Sequence, residues 1–280
     1  MRKPLWRSER IHRAFQDKYR FGELGLYECV ALASTQVEGL KIALSTAIIS
    51  PPGEAKTCIL KDVLSMFPEK THILVDGAIT EYHIDKEEKY KDLNYRLFCI
   101  NDIEDIIKVY PRRRVAGILA FLKNMIDGHA QILTKHENID RRAKNFGVLL
   151  NIPEYLLVDS KGKLRSQFLG TFFDRVIPFR FRTDWEEWKP YWEKRKLRNI
   201  DAERIELEPR AVRWDFGAFR KRIGDEAKAL ASLKYSSLPR NIDLITAFLC
   251  GSALLNERDR ICSEDFETLN RLKPYFGWYR

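Results

Sequence analysis

The sequence predicts an α/β fold: strands alternating with helices, followed by an all-helical C-terminal portion. Three observations lead there. Short apolar runs at residues 42–49, 72–76, 95–100 and 145–151 are separated by helical patterns, the alternation that builds a parallel sheet with crossover helices. The first run empties into Ile48-Ile49-Ser50-Pro51-Pro52-Gly53-Glu54-Ala55-Lys56-Thr57, which reads as a strand, a Gly-containing loop and a Lys-Thr pair at a helix start. The last segment carries only helical patterns, over 225–234, 240–255 and 263–273.

Composition narrows the class. The 280 residues, 45% of them hydrophobic, can bury one large core or a core with a smaller companion. A net charge of +9 and a sequence pI near 9.2 suit a phosphate-bearing partner. The five cysteines lie far apart with no CxxC pair, which argues against a zinc site or redox motif and for buried thiols in a reducing compartment. No signal peptide or long apolar span is visible, so the expectation is a cytoplasmic protein without a membrane partner.

In chain order, residues 1–22 are basic and aromatic, with a short helix over 10–17; they read as an arm touching nucleic acid or a neighbouring subunit, or as a solvated extension. A helical pattern from Glu28 to Leu40 runs into the first strand. Next comes the phosphate-binding loop. Backbone N–H groups of Gly53, Glu54, Ala55, Lys56 and Thr57 point inward at an anion, and the helix over 58–66, starting at Cys58, adds its positive end. Lys56 reaches the outer phosphates and Thr57 ligates Mg²⁺. Ala55 carries a penalty only if its backbone needs a positive φ.

After the second strand, residues 85–94 read as a loop or exposed helix. The third strand ends in Asn101-Asp102-Ile103-Glu104-Asp105, where such folds hold Mg²⁺ and activate water. Asn101 or Asp102 can equally serve as an N-cap. Residues 115–126 form an amphipathic helix. An alternating segment, 130–135, then a polar turn, reads as a hairpin leading into the fourth strand, 145–151, whose tip Asn151 is placed to orient a phosphate or a water. Residues 168–175 read as a helix or turn, and 176–181 as an edge strand that tolerates Pro178. Thr183 with Glu186 caps a helix bearing Trp185, Trp188 and Trp192, which stack bases or pack. The break Glu208-Pro209 marks a domain boundary.

These parts in this order resemble the AAA+ ATPases. Pro52-Gly53 followed by Ala55-Lys56-Thr57 is similar to the loop of minichromosome maintenance helicases and MoxR-type ATPases. Met125-Ile126-Asp127-Gly128-His129-Ala130-Gln131-Ile132, then Lys135, then Val148-Leu149-Leu150-Asn151-Ile152-Pro153, is similar to the hairpin and sensor strand of that group. The resemblance covers roughly residues 25–275. It implies a P-loop NTPase core at 25–208 in three layers around a parallel sheet, behind a basic arm at 1–24, with a small all-α lid domain at 209–280. Pro52 to Cys58 hold ATP; Thr57 and Asp102 hold Mg²⁺. Asn151 corresponds to the first sensor, Arg175 to an arginine finger, and Arg240 to the second sensor. On the hairpin, Lys135, with Arg141, Arg142 and Lys144 nearby, is placed to touch DNA. The finger implies a ring, such as a hexamer, or a filament.

Two departures bear on activity. Ser50 and Ala55 stand where the consensus has glycine, and Asn101-Asp102 stands where the family has Asp-Glu. A shift by one residue makes Asp102 the metal carboxylate and leaves Glu104 as a base. Loss of a catalytic base costs a factor of roughly 10² to 10⁴. Three functions follow from the resemblance: a DNA-acting motor or remodeller; a nucleotide-gated scaffold or loader, working with a partner such as a helicase or recombination factor, with weak or no hydrolysis; and a MoxR-like chaperone acting on protein.

Overall fold

A computed structural model of the chain describes residues 6–133, 138–157, 170–182, 189, 203–214, 216–234 and 236–277. Lys135 and the tryptophan-bearing segment that begins at Thr183 lie outside the described residues.

The architecture is α/β. Five parallel strands, β2 (Ser45–Ser50), β3 (His72–Val75), β4 (Leu97–Ile100), β7 (Gly147–Pro153) and β8 (Val176–Arg180), lie in the order β3-β4-β7-β2-β8. Every residue of β2, β4 and β7 is buried, as expected of parallel strands covered on both faces, while edge strand β3 alternates. The register is Ile48 with Asn151 and Ser50 with Pro153 on one side of β2, and Ile49 with Arg180 on the other. The remaining strands pair apart from this sheet: β1 (Val37–Glu38) with β9 (Arg210–Ala211), and β5 (His129–Leu133) with β6 (Asn138–Arg142) in a hairpin.

The path runs outward from β2 to β3, then back through β4 and β7, and past β2 to β8. Right-handed crossovers therefore put α3 (Lys56–Ser65) on one face of the sheet and α4 (Glu81–Lys86), α5 (Ile103–Val109) and α6 (Arg112–Ile126) on the other. A short helix, α7 (Glu154–Leu157), leaves the tip of β7.

On the α3 face sits α2 (Gly22–Thr35), apolar around its whole circumference and almost completely buried. Two close approaches explain this. A Cβ at Gly25 would come within 2.5 Å of the Phe15 ring, and a Cβ at Gly251 would stand 2.6 Å from the Val30 carbonyl oxygen. Gly25 admits α1 (Arg7–Tyr19), and Gly251 admits α9 (Leu238–Leu255). Tyr27 of α2 stacks on Phe179 of β8 with centroids 4.9 Å apart, and its hydroxyl donates to the Ile177 carbonyl at 3.0 Å.

The basic N-terminal stretch is therefore not a free arm. Ile11, Phe15 and Tyr19, four residues apart, form a buried stripe on α1. Arg7 pairs with Glu257 at 2.7 Å, Arg271 with Glu9 at 2.7 Å, and Lys18 with Asp62 of α3 at 2.6 Å.

The C-terminal helices α8 (Phe216–Lys234), α9 and α10 (Ser263–Leu272) share one hydrophobic core with the sheet. α9 has the length and composition of a membrane span, yet residues 244–255 are buried within the fold. β9 pairs back on β1, and the Gly277 N–H donates to the Pro178 carbonyl, covering the edge of β8.

Candidate phosphate-binding site

The loop between β2 and α3 leaves the sheet at its C-terminal edge, where β2 is flanked by β7 and β8. This is a topological switch point, the usual ligand position in open α/β sheets. Gly53 has φ +87° with open space where a Cβ would stand, so only its backbone freedom is used. Ala55, the N-cap of α3, has φ +61°. The penalty for a side chain there applies, at roughly 1–2 kcal/mol, against about 0.5–1 kcal/mol of extra backbone entropy lost by glycine. Ala55→Gly is therefore expected to raise stability by about 0.5–1 kcal/mol. Denaturant midpoints at unchanged m-value check it; an unchanged or lower midpoint contradicts the strain argument.

No side chain caps α3 and its first turn holds no acidic residue. Its first intrahelical bond is Ile59 N–H to the Ala55 carbonyl, so the N–H groups of Lys56 and Thr57, in the first turn, have no carbonyl within the helix to bond. Lys56 folds back onto the loop: Nζ donates to the Ser50 carbonyl at 3.0 Å, Ser50 Oγ at 2.8 Å and the Pro51 carbonyl at 3.1 Å. Ser50 thus supplies a hydroxyl where the consensus has glycine. Burial lowers the Lys56 pKa to about 8, although Asp102 and Glu54 pull it upward. The Thr57 hydroxyl has no hydrogen bond among the described residues.

Asn151 is 1% exposed, and neither end of its amide has a partner among the described residues. Its register with Ile48 puts it on the same sheet face as Ser50, one pleat behind the hydroxyl that holds Lys56. An unsatisfied buried amide costs about 1–3 kcal/mol, so the Asn151 amide, two residues short of the end of β7 rather than at its tip, calls for a polar ligand or water.

The acidic tip is more committed than its sequence suggests. Asn101 donates to Asp76 at 2.7 Å, leaving its own Oδ1 buried and unpartnered. Asp102 is the N-cap of α5, accepting from the Glu104 N–H at 2.8 Å, and burial raises its pKa despite that bond and Lys56. Glu104 pairs with Lys108 at 2.6 Å and also accepts from the Tyr155 hydroxyl; these two bonds hold its pKa below the usual carboxylate value. Tyr155 is pushed up to about 12 by the same contact. Asp102 caps a helix and Glu104 is ion-paired, so neither is a free base.

At the same C-terminal rim, Glu154 takes Arg180 and Arg182 together, the latter through Nε at 2.9 Å and Nη2 at 2.8 Å. The residue-by-residue reading passed over this cluster. Its sequence signal is an Arg-x-Arg at the end of an edge strand, with an acid after the Asn-Ile-Pro of the neighbouring strand.

Arg175 and Arg240 lie elsewhere. Both close on Asp127: Arg175 Nη2 at 2.6 Å from Oδ2, and Arg240 Nη1 at 2.9 Å from Oδ1. Arg175 precedes β8, whose first residue is level with Ser45 at the start of β2. Six strand residues, about 17 Å or more, separate that edge from the phosphate loop, so neither arginine reaches the loop of its own chain.

Of the hairpin cations, Arg141 is engaged by α4, donating to the carbonyls of Ile84 and Asp85 at 3.3 and 2.7 Å and pairing with the Asp85 carboxylate at 3.1 Å. That use as a C-terminal cap withdraws it from the DNA-contacting group. Arg142 and Lys144 are exposed and without side-chain partners among the described residues. Also among the described residues, no group of three or more His, Cys, Asp or Glu converges as a metal site.

No protein-family model matches the chain, and no curated protein matches it.

Proposed function

We propose that the chain is a nucleoside-triphosphate-binding protein of the P-loop NTPase class, AAA+ in organisation, whose nucleotide gates self-assembly more than it drives rapid turnover. The observation that carries the reading is the buried, unpartnered Asn151 amide on the same sheet face as Ser50, whose hydroxyl holds Lys56 at the uncapped start of α3. In this reading the α3 N–H groups and Lys56 hold the phosphates of ATP and Asn151 meets the terminal one. Thr57 and Asp102 hold Mg²⁺, which supplies charge neutralisation to the tail when bound.

Weak hydrolysis is favoured by the occupation of Asp102 and Glu104. Assembly is favoured by the Arg175–Arg240 pair on Asp127, remote from its own loop, which offers two guanidiniums to a phosphate bound by a second copy. DNA as the partner rests on the net charge of +9 and on Arg142 and Lys144.

The test is ATP titration with light scattering, with and without DNA at two salt concentrations, followed by steady-state turnover. ATP is expected to bind and to increase particle mass, with turnover low and DNA affinity falling steeply with salt. Rapid DNA-stimulated turnover would favour the motor, and no ATP binding would end the proposal. Arg175→Ala is expected to keep ATP affinity within about twofold, since the residue is a strand length away, while losing ATP-dependent assembly. Assembly equal to the parent's would remove Arg175 from the interface.

A further inference from the structure

The Glu154–Arg180–Arg182 cluster has no part in the reading above, yet it stands at the root of the phosphate loop. Because Ser50 is level with Pro153, and Ile49 with Arg180, Glu154 comes one residue past the level of Ser50, and two further residues bring Arg182 level with Pro51. The Phe181 N–H still bonds the Ile49 carbonyl at 3.1 Å, so this register continues past the end of β8. Neighbouring strands run about 4.8 Å apart. Glu154 and Arg182 therefore flank the first loop residue from either side, within one arginine side chain of it.

We propose that Arg182 is an additional ligand of the polyphosphate tail, held by Glu154 until that tail arrives; this rests on the phosphate-site reading. One carboxylate is faced by two guanidiniums. Arg180 is the buried partner, with its side chain 13% exposed, and suffices to neutralise Glu154; Arg182 is 65% exposed and is the one free to leave. Burial together with the neighbouring Arg182 charge lowers the Arg180 pKa, so departure of Arg182 relieves a like-charge contact. The Arg182 fork, now bidentate on a carboxylate, fits phosphate oxygens by the same geometry. A polyphosphate on the α3 N-terminus thus competes with Glu154 for a donor pair already at the rim, and the exchange replaces one charged acceptor by another.

The alternative is a clasp that only braces the tips of β7 and β8, and opposite mutational effects separate the two. With inorganic tripolyphosphate and ATP as calorimetric probes, Arg182→Ala is expected to weaken both about tenfold, by loss of one charged hydrogen-bonding side chain. Glu154→Gln is expected to tighten both about threefold, because the competing carboxylate charge is gone. Melting temperatures of both variants check folding, and Arg182, mostly exposed, decides alone if Glu154→Gln is destabilised. A brace predicts that both substitutions weaken binding together, or that neither changes it; either result overturns the proposal while the parent still binds. A parent that binds neither probe, and equals Lys56→Ala in that respect, removes the underlying site as well.

Discussion

Lys56→Ala is expected to lower ATP affinity by a factor of about 100 or more, because a charged hydrogen bond contributes about 1.5–3 kcal/mol and a lysine on a polyphosphate makes more than one. The free protein already shows what the ammonium needs. It satisfies all three donors on the Ser50 carbonyl, Ser50 Oγ and the Pro51 carbonyl, so ligand binding exchanges neutral acceptors for anionic ones. Burial sets a pH dependence as well. With its pKa near 8 in the free protein, Lys56 loses its proton as pH rises from 7 to 9, and a bound anion must draw that proton back. ATP affinity is therefore expected to fall over that range, and binding is expected to take up fewer protons at Lys56 below pH 7, where the ammonium is already protonated. Calorimetry in buffers of different ionisation enthalpy measures both. Parent and variant binding ATP equally would refute the phosphate-loop assignment. A flat pH profile with tight parental binding would refute the burial argument alone.

The strand, loop and helix from β2 to α3 were legible in the sequence because their information is local. An apolar run, Gly53, Lys56 and Thr57 lie within sixteen residues, and each residue type answers a backbone or charge requirement of that turn. Asn151 stood out as a polar side chain closing an apolar run, although β7 continues two residues past it to Pro153. The Asp102 alternative was also visible, since an aspartate before an apolar helical pattern reads as a cap, and it caps α5.

What escaped is tertiary. Asp127 meets Arg175 and Arg240 across 48 and 113 residues, and no spacing rule joins them. Glu154 meets Arg180 and Arg182 across 26 and 28. The return strand of the hairpin, Asn138–Arg142, was read as a polar turn because Ile139, opposite Ile132, is its only apolar residue. The N-terminal stretch looked like an arm because its charges outnumber its apolar residues. Its helix is nevertheless docked through Ile11, Phe15 and Tyr19, the buried face that a charge count ignores.

Glu28 gives the largest stability effect. In the sequence the helical pattern was read from this residue to Leu40. The helix in fact begins at Gly22, which places Glu28 in the middle of a buried span. It is fully buried, and neither carboxyl oxygen has a partner among the described residues. Burial raises its pKa well above the usual range, and its neighbours Cys29 and Cys99 are raised too, by burial first and then by Glu28. The thiols therefore stay neutral, and a thiolate, itself an anion, could not compensate a carboxylate.

Because the folded-state pKa is raised, the neutral carboxyl's contribution is fully present below the unfolded value of about 4.3 and is lost as pH rises toward the folded value. In that window stability falls by about 1.4 kcal/mol per pH unit. Glu28→Gln is expected to remove this slope between pH 5 and 8, and Glu28→Met to remove it while also filling the site with apolar volume. At pH 7.5 the methionine variant is expected to exceed the parent by about 1–3 kcal/mol, the cost of burying an unpartnered polar group. Other groups that titrate in the range, among them Asp265 with its pKa raised to about 6 by burial, are common to all three proteins and cancel in the difference. Denaturant unfolding at half-unit pH steps measures it. Parallel parent and variant curves from pH 5 to 8 would mean that Glu28 is charged and compensated in the native state. A difference that widens with pH assigns the cost to a proton that the folded core retains and the unfolded chain gives up.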